Sequence, residues 1–410
     1  MRLIYLEQYF NLPSNIGGGR CFEAASRLAA RGHDVHVVTS DRTSGSSGDW
    51  SVREVAGFKV HAMSNAYSND MNFRKRIAAF MRFALASASY SVRLEGDLVF
   101  ASSTPLTIAI PAVLAKWRLR APMVFEVRDL WPEVPIAMGV LKNPILKLAG
   151  RWLERVAYQN SERVVALSPG MRDGIVGAGY PESRVHVIPN CSDIEILRVP
   201  SDVGRKWRDR HPEINTRSMV LYAGTIGRVN GVDWLARLAA STTGSGSDLC
   251  FVIVGRGSEE GAVRRVAEQY GVLNRNFFIL PGVPRSELAP ILSASTVACS
   301  VVADLQALWN NSANKVFDGF AAGRPVMINH GGWQQRLLEE NGAGLVLPHG
   351  DVQRAAELLI SFVSDSARLA AANSASAALA DSRFNRNLLV GELITVLEAV
   401  AGDSASSHLR

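Results

Sequence analysis

Short apolar runs alternate with helical stretches along this chain, and after one polar break the alternation begins again. In the first half the runs at 3–6, 35–39, 97–101, 123–127 and 163–167 read as strands, with helices over 21–31, 106–118, 144–158 and 169–178. Such alternation demands a parallel sheet covered by helices on both faces. His186-Val187-Ile188-Pro189-Asn190 ends that half. Residues 199–217 are polar and broken by Pro200 and Pro212, which places a boundary in or near them. Strand-like runs resume at 219–222, 250–254, 277–280, 297–300, 325–329 and 345–347. The expected fold is therefore α/β, two Rossmann-like doubly wound parallel-sheet domains facing a cleft, spanning 1–198 and 199–384. A last apolar helix over 385–400 comes after the second sheet is complete and is expected to pack back on the first domain, followed by a frayed tail at 402–410.

Composition narrows the functional classes. A chain of 410 residues exceeds one ordinary core, and 47% apolar with 20% charged residues reads as globular. Cys21, Cys191, Cys250 and Cys299 lie far apart without a C-x-x-C pair, which favours free thiols in a reducing cytoplasm over disulfides or zinc. The first residues lack the apolar core of a signal peptide, and no run of about 18 apolar residues exists to span a bilayer. The net charge of +6 is unevenly spread: Arg74, Lys75, Arg76, Arg82, Arg93, Lys116, Arg118 and Arg120 face only Glu95 and Asp97 over 74–120. No nucleic-acid module accompanies this basic stretch, so anionic lipid is the favoured partner. Phe73, Ile77, Phe80, Met81, Ala84, Leu85, Ala88 and Val92 form an apolar stripe at helical spacing within it, as on a helix lying on anionic lipid or equally on an internal helix with a solvated basic side.

Four motifs carry chemistry. Ser312-Ala313-Asn314-Lys315 precedes a helix that stops at Gly323-Arg324-Pro325. A helix N-terminus beside a lysine suits a diphosphate, and Asp318, one turn on, is placed to accept hydrogen bonds from a ribose diol. Gly17-Gly18-Gly19, after the first strand, lets backbone amides approach an anion. A dinucleotide site is the rival there, with Asp41 ending strand two, but the spacing is not G-x-G-x-x-G. Glu126, Arg128 and Asp129 crowd the carboxyl end of the strand at 123–127, where idle burial of charge is costly, and Ser102-Ser103-Thr104-Pro105 shares that wall. Gly224-Thr225-Ile226-Gly227-Arg228 follows the strand at 219–222, with Arg228 offering a second cation.

These motifs, in order along nearly the whole of 1–400, resemble the family 4 retaining glycosyltransferases of GT-B fold. The run 122–133 is similar to one in bacterial amino-sugar transferases of surface-polysaccharide (O-antigen, capsule, colanic acid) assembly. The resemblance implies a donor site built from Gly224, Thr225, Arg228, Gly255, Gly282, Val283, Asn310, Asn314, Lys315 and Asp318, with the 280–284 loop meeting the base. The chain departs from the family at Arg128, where a histidine is common, and at Thr225 and Asn230, where an arginine and a lysine are usual. Asn310 also replaces the first glutamate of Glu-x7-Glu, whose second falls at Asp318. His33, in the turn into strand two, is expected to be structural.

The same resemblance implies a UDP-sugar substrate, an N-acetylated amino sugar by analogy, and a polyisoprenyl-diphosphate-linked saccharide acceptor at the inner face of the membrane. No cofactor is expected. No D-x-D occurs in the sequence, so no metal is expected either. Glu126 or Asp129 is the candidate base. A sugar-nucleotide epimerase of the same fold and an NAD-dependent oxidoreductase are the alternatives. An exported solute-binding protein would need a signal peptide.

Overall fold

The computed structural model describes every residue except 14–18, 44, 46, 69–70, 72, 244–247 and 409–410, and leaves undescribed the side chains of 73 and 405–408. It divides into two compact units, one holding 19–189 and 389–410 with the first strand, the other Asn190–Leu388. The division falls at Pro189/Asn190 rather than after 198. Asn190 already belongs to the second unit because its backbone and side-chain amides bond the hydroxyl and carbonyl of Ser312, at 3.2 and 2.6 Å.

The first unit is built on strands β1 (Arg2–Leu6), β2 (Asp34–Asp41), β3 (Trp50–Val55), β4 (Phe58–Ser64), β5 (Leu98–Ser103), β6 (Met123–Val127), β7 (Arg163–Ala166) and β8 (Val185–Val187). They lie in the order β3-β4-β2-β1-β5-β6-β7-β8. Helices α1 (Arg20–Ala30), α2 (Phe73–Ser91), α3 (Ala109–Leu119), α4 (Glu133–Ala137), α5 (Pro144–Gln159) and α6 (Pro169–Gly177) connect them. Central strands such as LIYL and MVFEV are buried along their length, as parallel strands covered on both faces must be. The β3–β4 hairpin breaks the expected all-parallel layout, because it pairs antiparallel. Ala56 and Gly57 both take positive φ, 47° and 82°, as a two-residue hairpin turn requires.

Three further segments refine these expectations. Ser201–Asp209, within the predicted boundary segment, is a helix. The predicted frayed tail is helical too, since the last helix runs from Arg386 to His408. The stripe on α2 is internal: Phe80, Phe83, Ala84 and Ala88 are buried, whereas Leu85 points outward. Arg74, Lys75 and Arg82 are exposed on its other side, so α2 is a core helix with a solvated basic face.

On α5, Glu154 is buried and accepts a 3.1 Å hydrogen bond from the Tyr158 hydroxyl. Burial pushes its carboxyl up to about 7. A carboxyl raised by folding costs stability once pH climbs from the ordinary glutamate value through 7. Glu154→Gln is therefore expected to stabilise the protein by roughly 1–3 kcal/mol at pH 8 and by little at pH 4.5. Melting temperatures of both proteins across that range check it.

The second unit contains β9 (Ser218–Ala223), β10 (Leu249–Val254), β11 (Phe277–Leu280), β12 (Val297–Ser300), β13 (Val326–Ile328) and β14 (Gly344–Val346). All pair parallel in the order β11-β10-β9-β12-β13-β14. In both sheets the order reverses direction beside the first strand, between β1 and β5 and between β9 and β12. Those switch points leave a crevice at the strands' carboxyl ends. Trp234, Phe251, Phe277 and Phe362 fill the core on one side of the second sheet.

Candidate functional site

At the switch point of the first sheet four charges interlock. Glu126 on β6 is wholly buried and accepts from Arg20 Nε at 2.8 Å and from the Ser102 hydroxyl at 2.6 Å. Arg20, opening α1, also donates to the carbonyls of Pro189 and Ile188. Arg128 donates to Glu7 Oε1 at 2.7 Å, and its backbone amide bonds the Ser103 hydroxyl. Burial raises the Glu126 carboxyl, but Arg20 and then Arg128 outweigh it and hold the group below the usual range. Glu7 moves the other way, pushed up by burial that Arg128 only partly offsets. Asp129, half-buried, is lifted to about 6 by burial against the pull of Arg128.

These shifts separate the roles of the predicted residues. Both oxygens of Glu126 are occupied and the group stays charged, so it positions Arg20. Asp129, pushed up to about 6 by burial, is the carboxylate of the group more ready to take up a proton. Beside them Glu7 Oε2 and both polar atoms of the Gln8 side chain are buried without a protein partner among the described residues. Orphaned buried groups at a strand's carboxyl end are what a polar ligand would satisfy. Gly17 and Gly18 lie outside the described residues. Gly19 directly precedes α1, with open space where a Cβ would stand. His33 bonds Glu398 at 2.9 Å, a structural contact.

The second switch point gathers the predicted donor residues. Lys315 is in the first turn of the helix Asn314–Ala321, with Nζ 4.9 Å from the centre of the Tyr222 ring on β9. Burial lowers its pKa, partly offset by Cys299 and Asp318. No side chain caps that helix, and Asn314 at its start is exposed. The glycine loops are stacked against it. A Cβ on Gly224, whose φ is +150°, would sit 2.6 Å from Lys315 Cε, and one on Gly255 would sit 1.9 Å from the Gly224 carbonyl oxygen. Only glycine permits such an approach. Gly282 follows in ordinary contact with Gly255, and Val283 is partly buried beside it.

A cavity of about 290 Å³ opens beside Gly255, lined by Arg256, Arg264, Leu280 and Pro281. Arg228 and Thr225 are exposed, and Arg228 borders a second cavity of about 200 Å³ with Gly227 and His349. Asn310 is half-buried just before the Ser312 loop. Trp333 is core, its indole donating to the Asn311 carbonyl.

Asp318 is less open than its expected role requires. Arg285 Nη2 donates to it at 2.6 Å, while Arg285 Nε and Arg386 both hold Asp193. The carboxylate is thus one corner of a buried four-charge cluster. Sequence reasoning overlooked Arg285 and Asp193, as it overlooked Glu7 and Arg20. Among the described residues no group of three His, Cys, Asp or Glu side chains is placed to share a metal ion.

Residues 17–191 match the family described as "Glycosyl transferase 4-like domain", and 217–365 match "Glycosyl transferases group 1". The chain belongs to the glycosyltransferases. This glycosyltransferase is 24% identical over 208 residues to "Alpha-D-kanosaminyltransferase" of Streptomyces kanamyceticus, covering 50% of this chain and 51% of that protein. It is 23% identical to "Probable glycosyltransferase WbjE" of Pseudomonas aeruginosa, over 68% of this chain and 69% of that one. The colanic acid transferase WcaI of Escherichia coli, a putative assignment by its own description, is 23% identical over 63% and 66%. The chain thus spans about half to just over two thirds of these relatives' length. Solved structures show the GT-B fold: Anabaena HepE in complex with UDP and glucose superposes with a TM-score of 0.72 at 16% identity, covering 97% of this chain and all of that one. WaaG, involved in lipopolysaccharide biosynthesis, gives 0.71 at 16%, covering 96% and 99%.

Proposed function

We propose that this glycosyltransferase moves an N-acetylated amino sugar from a UDP-sugar to a lipid-diphosphate-linked saccharide in surface-polysaccharide assembly, at the cytoplasmic face of the membrane. The observation that carries the donor half is the stack of Gly255, Gly224 and Lys315, a partly buried ammonium beside an uncapped helix N-terminus at the second switch point. That arrangement suits a diphosphate. HepE was crystallised with UDP and with UDP-glucose, and the relatives include an aminosugar transferase by name.

In this reading Lys315 and Arg228 stabilise the leaving diphosphate, which needs no metal. The acceptor oxygen attacks the anomeric carbon on the face the diphosphate leaves, so configuration is retained. The acceptor's proton passes to the departing phosphate oxygen. An epimerase of the same fold would release product from donor without any acceptor, which separates the two.

The test is thermal stabilisation by UDP, with NAD and other nucleotides as controls, with and without EDTA. A ligand at about 100 times its dissociation constant adds about 2.7 kcal/mol. UDP is expected to raise the melting temperature regardless of EDTA, and Lys315→Ala to weaken UDP by tenfold or more, about 1.4 kcal/mol. Asp318→Ala is the poorer probe, because it also strips Arg285 of a partner. Stabilisation by NAD alone sinks the reading.

A further inference from the structure

The helix α5 is amphipathic in the wrong sense for a domain surface. Leu153, Val156 and Ala157 face the core, yet Ile145, Leu148 and Trp152 point outward at 74, 70 and 63% exposure. Their spacing places all three on one outward stripe. The neighbouring helix α3, which packs on α5, adds Leu114 and Trp117, the latter 60% exposed. Six of the thirteen exposed large hydrophobic side chains among the described residues lie on α3 and α5. An apolar surface this concentrated marks something that covers it.

The charges say what covers it. Arg151 and Arg155 flank the stripe on α5, and Arg118 and the partly buried Lys116 lie on α3. The one carboxylate on either helix, Glu154, is buried on the inner side. Glu133 and Glu162, from adjoining segments, approach Arg151 and Lys116, and Asp403 shares a cavity with Lys116 and Trp117 at the edge of this face. A second copy of the chain would set these cations against themselves. Anionic headgroups over an apolar layer complement both features, and tryptophan favours that boundary.

We infer that the outer face of α5 and α3, rather than the basic side of α2, is the surface by which the protein docks on an anionic bilayer. The proposal rests on the reading of a lipid-carried acceptor, and it assigns that reading a place on the molecule. Ile145, Leu148 and Trp152 would enter the headgroup boundary, and Arg151 and Arg155 would meet phosphate from above it. Binding then weakens with salt, as charge attraction to a surface does.

The experiment is co-flotation of the full chain with vesicles of phosphatidylcholine alone or mixed with phosphatidylglycerol. The wild type should float with the anionic vesicles only. The double variant Leu148→Glu/Trp152→Glu should lose at least tenfold in binding, and Arg155→Glu should lose several-fold with a shallower salt dependence. Arg74→Glu/Lys75→Glu on α2 should bind as the wild type does. UDP stabilisation should be equal in all of them, since these side chains are exposed and belong to the other unit. Undiminished flotation of the double variant, selective loss in the α2 variant, or a wild-type dimer that Leu148→Glu separates would each overturn the proposal. Failure of UDP to stabilise any variant, with flotation as described, would instead sink the transferase reading and leave the docking face standing.

Discussion

Glu126→Ala is expected to lower the free energy of unfolding by about 3–5 kcal/mol, the range for removing one partner of a buried ion pair. Arg20 would keep its two backbone carbonyls, at 2.8 and 3.0 Å, but its buried charge would have no carboxylate. The hydroxyl of Ser102 would also lose its acceptor. Urea unfolding at pH 7 measures the loss. Replacing both members of the pair by leucine should recover a large part of it, since apolar packing removes the cost of the stranded charge. The sign with pH is set by a carboxyl held below its usual range. The pair's contribution is full above the ordinary glutamate value and fades as acid protonates Glu126. A Glu126→Ala protein as stable as the wild type would mean that Arg20 finds water or another anion.

Gly255→Ala is expected to abolish stabilisation by UDP and to cost roughly 1–3 kcal/mol of folding stability, the usual penalty for forcing atoms into a packed site. The new methyl would stand 1.9 Å from the Gly224 carbonyl oxygen, which no rotamer relieves. Gly224 must then shift, and on its far side the space is filled by Lys315. Gly282→Ala is the control. Its methyl meets Gly255 Cα at an ordinary 3.5 Å, so the fold and the packing around Lys315 should persist. Equal UDP shifts in the Gly255 variant and the wild type would show that the stacked loops do not shape the nucleotide site.

Most of the parallel strands were legible because they are largely apolar runs, and burial on both faces leaves little choice of period. The edge hairpin was not, because β3 exposes Ser51, Val52, Arg53 and Glu54 in succession and carries no clean alternation. Its signal lay in Ala56-Gly57, a weak turn pair. The site was half legible for a related reason. Lys315, Gly224 and Gly255 announce themselves within local motifs. Glu7 meets Arg128 across 121 positions and Arg20 meets Glu126 across 106, and no local pattern couples such residues. One rule could have found Glu7: it follows β1 directly, as Arg128 follows β6, and charged residues just past parallel strands gather at one edge. Asp318 shows the reverse case. Its position fits the ribose contact, but Arg285, 33 residues away in sequence, already claims its carboxylate.

The last helix shapes how the chain comes to be made. Residues 389–410 belong with the first unit, where Leu393, Ile394 and Leu397 are buried and Glu398 joins Arg31 and His33. The part of the protein synthesised first therefore lacks a portion of its own interior until Leu393, Ile394 and Leu397 have been made. At about 5–20 residues per second, the 199 residues from Asn190 to Leu388 keep it incomplete for tens of seconds. The long segment of the second unit, Asn190–Leu388, waits for no later part of the chain. It has all its parts as soon as it emerges, and so can be complete before the unit that was begun first.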